Sequence, residues 1–139
     1  MEHANTNSPA QYGTALLRIS LGLMYVAHAL LKLLVFTLPG TAIFFESVGF
    51  PGVLAYPVFA AELVGGVALM LGVCARQVSL ALVPVLVAAT SVHAGNGWLF
   101  TNSGGGWEYP VFLVLASVSL WLLGDGALAL QRSDRWALR

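Results

Sequence analysis

His28, Lys32, Glu62 and His93 each lie inside, or at the end of, a long apolar run. An ionisable side chain at the centre of a bilayer costs roughly 2.5–3.5 kcal/mol on insertion scales, so it tends to face a partner, a cavity or a site. His28 and Lys32 are one helical turn apart and share a face. Tyr25 and Arg18 fall within about 80° of the same stripe at 100° per residue. A carboxyl alone in hydrocarbon favours its neutral form, and a cation close by restores the carboxylate. A Glu–His–Lys set at one depth suits the movement of a proton to or from a bound molecule. These residue types make His28, Lys32 and Glu62 the candidate catalytic groups, with Tyr25, His93, Trp107, Glu108 and Tyr109 as candidate substrate-binding groups around them.

The elements that must position them are membrane helices. The chain has 139 residues, 58% apolar and 9% charged, with a mean hydropathy of +0.83. A soluble domain carries about 25% charged residues. So few charges cannot cover a soluble globule, and the composition predicts an all-α integral membrane protein, one small bundle without a second domain. The net charge is zero, which argues against a nucleic-acid partner. The one cysteine, Cys74, cannot form an internal disulfide or run a dithiol relay alone, and reads as a small packing residue. Residues 1–13 are polar, lack Lys and Arg, and do not read as a cleavable signal.

About 20 apolar residues cross a bilayer. The pattern predicts four spans, at about 14–36, 53–74, 78–95 and 109–124. Cys74 to Gln77 form a tight turn. Residues 37–52 hold an apolar patch, Ala42 to Phe45, between two Pro-Gly pairs, and predict a short interfacial or re-entrant helix. Residues 96–107 form a Gly-rich loop with Trp98 and Trp107 near its ends, suited to the interface belt. The tail from Gln131 reads as short amphipathic helix or coil.

Arg18, Arg76, Arg132, Arg135 and Arg139 share the side of the termini and the tight turn, and Lys32 is alone on the other. The positive-inside rule then puts both termini in the cytoplasm of a bacterial inner membrane, with the two long loops outside. Arg18, Arg76 and Asp125 read as topology anchors and ion pairs. With a rise of 1.5 Å per residue, His28 and Glu62 lie about 12 and 13 Å below the outer ends of their spans, and Lys32 about 6 Å. His93 and Glu108 lie at outer ends. The expected result is an outward-open polar pocket lidded by both long loops.

Other readings stay open for the same residues. Buried His and Glu can hydrogen-bond across helices purely as structural glue. Lys32 can snorkel to the surface. His28 and His93 could ligate a haem or metal, although no HxxxH or CxxCH pair is present and no metal site is expected. Ala61, Gly65 and Gly66 read as a close helix contact, and Pro84 as a kink. Tyr56-Pro57-Val58-Phe59 recurs as Tyr109-Pro110-Val111-Phe112, compatible with two tandem helical hairpins.

At these residues the sequence resembles the DoxX family of small membrane proteins. The matching pieces are Leu17-Arg18 through Gly22, Tyr25, His28 and Lys32, then Glu62 to Gly66 through Gly72 and Arg76, and finally His93, Gly97 and Glu108-Tyr109-Pro110. The resemblance implies a four-helix membrane bundle and a link to redox: one relative is a subunit of a thiosulfate:quinone oxidoreductase. Carried onto this chain, it implies His28, Lys32, Glu62, His93 and Glu108 as site residues. Three functions compete. The first is a redox subunit that binds a quinone or similar lipid-soluble molecule, with no covalent cofactor and with electrons supplied by a partner redox protein. The second is a non-catalytic assembly factor or scaffold. The third is a proton pathway, which would need a homo-oligomer and lacks a continuous polar path.

Overall fold

The computed structural model describes residues 8–133, so the end of the tail lies outside the described residues. Those residues form an all-α bundle with no strand and one isolated bridge, Val73 to Gln131. Helix α1 spans Pro9–Leu30 and continues as a π-helical turn, Leu31–Val35. Helix α2 spans Leu38–Ser47, α3 Ala55–Leu71, α4 Ala75–His93 and α5 Glu108–Leu123. Three of these segments, Pro9–Val35, Gly52–Leu71 and Ala75–Asn96, are long and apolar enough to cross a membrane. The fourth, α5, has 16 residues, about 24 Å of helix. It is shorter than a hydrocarbon core of about 30 Å, a mismatch met by local thinning or by flanking residues.

Local chemistry sets the boundaries. Ser8 caps α1 by accepting from the Gln11 N–H at 3.4 Å, and Pro9 occupies the first position, where a missing N–H is harmless. The π turn adds a residue to one coil of the helix, a device frequent at functional sites. Thr37, in the left-handed half of φ space (φ 63°), breaks the chain and caps α2 through the Gly40 N–H. The predicted short helix in the first long loop is α2. Helix α3 stops at Gly72, where φ is 72° and a side chain would be strained.

The two long loops share one end of the bundle, here the loop end; the Gly72–Cys74 connection marks the turn end. Helices α1 and α3 pack closely, as do α4 and α5. At the α1–α3 crossing the contact is backbone on backbone. A Cβ on Gly22 would lie 2.6 Å from the Gly66 carbonyl oxygen, and one on Gly66 2.8 Å from that of Gly22. Of the two glycines after Glu62, Gly66 makes this approach and Gly65 faces Leu82 of α4. Ala61 is exposed. Leu21, Tyr25, Leu69, Leu82, Leu86, Leu113 and Leu120 belong to the buried core. Leu16, Val64, Phe112 and Leu122 are more than 60% exposed, which in a bilayer is the lipid-facing surface.

The turn end is built from polar groups that the sequence presented as surface anchors. Arg18 is only 1% exposed. Its Nη1 donates to the carbonyls of Leu69 (3.1 Å) and Met70 (3.4 Å), and its Nη2 to that of Ala127 (3.1 Å). It thus satisfies the Met70 carbonyl at the end of α3 and gives a second donor to that of Leu69, which already accepts from the Gly72 N–H. Asp125 accepts from the Arg76 N–H at 3.1 Å, capping α4 from outside that helix. It also accepts from the Ser133 N–H and hydroxyl, both at 2.6 Å. The segment after α5 straps across this end through Gln131 N–H to Gly72 and Cys74 N–H to Gln131. Arg18 and Asp125 are therefore interior fasteners rather than topology anchors. Arg76 lies over the Trp121 ring at 5.9 Å.

Candidate functional site

The site is assembled at the loop end. Lys32, carried by the π turn, donates to both Glu62 carboxylate oxygens, at 2.7 and 3.0 Å. Glu62 is 5% exposed, and the lysine side chain 16%. From nominal depths the two groups begin several ångströms apart along the membrane normal. The four-carbon lysine stem closes that interval by reaching inward, the reverse of snorkelling. The pair that forms is Lys32–Glu62, and His28 stands beside it. His28 Nδ1 bonds the Met24 carbonyl of its own helix at 2.7 Å. A carbonyl only accepts, so Nδ1 carries a proton and Nε2 is left to accept or to be protonated. The ring stacks on Tyr109 of α5, centroids 6.2 Å apart.

These groups face a cavity of ≈ 440 Å³, within the range of about 300–1,000 Å³ usual for small-molecule sites. Tyr25, His28 and Lys32 line it from α1, Glu62 from α3, His93 from α4 and Tyr109 from α5. Tyr25 is buried, its hydroxyl 3.3 Å from Ser117 Oγ. The rest of the wall is apolar: Val58 of α3, Val85 to Val92 of α4, and Phe44, Phe45, Val48 and Phe50 from α2 and the chain after it. The wall is thus more apolar than the expected polar pocket, and a single loop roofs it.

Trp107 and Glu108 sit elsewhere. Glu108 accepts from the Phe100 N–H at 2.8 Å and so holds the Gly-rich loop. Trp107 packs edge-on against Trp98, centroids 4.6 Å apart. His93 Nδ1 bonds the Gly104 carbonyl at 2.9 Å, which the Asn96 amide also contacts. A second, more open hollow lies under this loop, lined by His93, Trp98, Glu108, Tyr109 and the lipid-facing Phe112. His93 and Tyr109 form the partition between the two spaces. The aromatic roof comes from the apolar patch at 42–45 and the residues after it, in the loop expected both as a short interfacial or re-entrant helix and as part of a lid.

Among the described residues, no group of three or more His, Cys, Asp or Glu is gathered as a metal site. Cys74 is a free thiol at the turn end.

A multi-helix membrane bundle with a largely buried lysine–glutamate pair at its loop end is the class this architecture defines. The DoxX family model matches residues 13–95, more than half of the chain, and the protein belongs to the DoxX family. That match contains Tyr25, His28, Lys32, Glu62 and His93, and ends before Trp107, Glu108 and Tyr109. The chain is also 33% identical over 124 residues to a Bacillus subtilis (strain 168) protein named "Putative oxidoreductase CatD", over 89% of this chain and 88% of that one. No solved structure matches the chain.

Proposed function

We propose that the protein is a redox-associated membrane subunit that binds a quinone or similar lipid-soluble molecule in the loop-end cavity. The observation that carries this reading is the placement of three proton-handling side chains, Lys32, Glu62 and His28, on the wall of an otherwise apolar space. Reduction of a quinone takes up two electrons and two protons, and a carbonyl oxygen gaining charge needs a donor beside it. Lys32 can turn from Glu62 to such an oxygen, and a protonated His28 Nε2 can serve the same role. Glu62 would take the proton back when a hydroquinone is oxidised. Tyr25, His93 and Tyr109 shape and close the space. Electrons would pass to or from a partner redox protein, which acts as the second reactant of the couple. The name of the Bacillus subtilis relative supports the redox part of the reading.

In this reading the loop end faces outward from the plasma membrane and the termini face the cytoplasm, supported by four arginines other than the interior Arg18 against one lysine. The test is mass spectrometry of what co-purifies with the gently solubilised protein, with wild type beside Glu62→Gln and His28→Asn. A quinone retained by the wild type and lost in both variants is the expected result. A wild type carrying only bulk phospholipid, with both variants restoring function to a deletion strain, would sink the proposal. That outcome favours the scaffold, for which the closed Lys32–Glu62 pair is a lock between α1 and α3.

A further inference from the structure

We propose that the ligand is chain-bearing, and that its apolar chain leaves the cavity sideways, between α3 and α4, into the bilayer. The inference rests on the pocket reading above and adds the route and the part of the ligand that uses it. Helices α3 and α4 are joined by the short turn-end connection, and they touch where a Cβ on Gly65 would lie 2.8 Å from Leu82 Cδ1. Towards the loop end both helices line the cavity: α3 presents Val58 and Glu62 at i and i+4, and α4 presents Val85, Ala89 and Val92. The two helices pack less extensively than α1 with α3 or α4 with α5; α1 and α5 pack less still, but His28 stacked on Tyr109 and Tyr25 against Ser117 bridge that seam.

The polarity of the wall is divided. Tyr25, His28 and Lys32 come from α1 and Glu62 from α3, whereas α4 below His93 offers only apolar groups. Ala88 and Ala89, the smallest of these, line the cavity and are half-buried, so side chain covers that stretch of the wall least. Pro84 marks the deep end of this wall; its ring and missing N–H interrupt the ladder of α4 and favour a bend there. The roof is closed differently: Phe44, Phe45, Val48 and Phe50 face the cavity, and the nearby Glu46 does not line it. A water-borne polar ligand would have to displace that roof. At ≈ 440 Å³ the cavity sits at the small end of the usual range. A cavity of about 150 Å³ already holds benzene, so a ring head group with the first part of its chain fits, and the rest of a long chain must exit.

The test uses the wild-type protein in nanodiscs and two photoreactive benzoquinones, one with a diazirine on the ring and one with it midway along a decyl chain. The ring probe is expected to label at His28, Glu62 or Tyr109, and the chain probe on α4 at Val85–Val92. Cavity labelling by the ring probe with chain labelling at Phe44–Phe50, or spread over lipid-facing Phe112 and Leu115, overturns the sideways route and leaves the pocket reading standing. No ring labelling in the cavity overturns both. In the same nanodiscs, Ala88→Phe and Ala89→Phe should weaken binding of the decyl-chain quinone about tenfold, with a chainless one within about twofold. Equal weakening of both ligands, or none for the decyl compound, counts against the route.

Discussion

The two ends of this bundle spend their polar residues in different ways. At the turn end Arg18 and Asp125 are buried and committed: the guanidinium nitrogens Nη1 and Nη2 hold three carbonyls, and the carboxylate holds two backbone N–H groups and a hydroxyl. At the loop end Lys32 and Glu62 hold only each other, His28 keeps Nε2 uncommitted by any hydrogen bond among the described residues, and a cavity adjoins all three. The first arrangement fixes helix ends and, among the described residues, leaves only the Arg18 Nε–H of these groups unpartnered. The second keeps donors and acceptors that a guest can recruit. A rigid end allows the other end to carry an unfilled volume, because unfilled space lowers stability and must be supported elsewhere.

The largest test of this contrast is Arg18→Met. Hydrogen bonds to charged groups contribute about 1.5–3 kcal/mol each, and three carbonyls would each lose a charged donor, so we expect a loss of about 4 kcal/mol or more. The readout is a thermal melt in detergent together with monodispersity. A shift of only a degree or two would mean that the turn end is no more committed than the loop end.

Next comes the pair itself. Lys32→Met leaves Glu62 buried without its cation, and breaking a buried pair costs about 3–5 kcal/mol. Lys32→Met with Glu62→Leu removes both charges, and well-packed apolar replacements of a buried pair are often neutral. The double variant should therefore melt near the wild type and retain no quinone. A double variant as damaged as the single one would make the pair a structural lock and erase the difference between the two ends.

A smaller effect is expected at the crossing that both ends share. Gly22→Ala places a methyl group 2.6 Å from the Gly66 carbonyl oxygen, on rigid backbone. Overpacking of this kind costs about 1–3 kcal/mol. Because Lys32 and Glu62 sit on the same two helices, ligand retention should fall along with the melting temperature. Retention unchanged at a lowered melting temperature would show that the pair tolerates a wider α1–α3 spacing.

Much of this was legible in the sequence for a simple reason. Long apolar runs with few charges have only helix available to them in lipid, and a carboxylate in such a run needs a cation at its own depth. That logic brings Glu62 and Lys32 together and sets α2 in the first loop. It assigned Arg18 wrongly because charge at a span end looks the same whether it meets water or the carbonyls of a neighbouring helix. It also placed Glu108 at the site, since spacing cannot reveal that the Phe100 N–H, eight residues upstream, would engage its carboxylate. Nor does a helical wheel foresee the π turn that carries Lys32.

Tyr25 gives the finest test, because it sits where the committed and the open regions meet. Its ring lines the cavity, its hydroxyl lies 3.3 Å from Ser117 Oγ, and the residue is buried. Tyr25→Phe removes the hydroxyl and leaves the packing, at an expected cost of about 1 kcal/mol, the size of one neutral hydrogen bond. If the hydroxyl serves only Ser117, the melting temperature falls slightly and quinone retention holds. If it also touches the guest, retention falls about tenfold at the same small stability cost, since 1.4 kcal/mol is a factor of ten in binding. We expect the first outcome. Ser117 is itself fully buried and has no other hydrogen-bond partner among the described residues, so the hydroxyl of Tyr25 belongs with the fasteners although its ring belongs with the cavity.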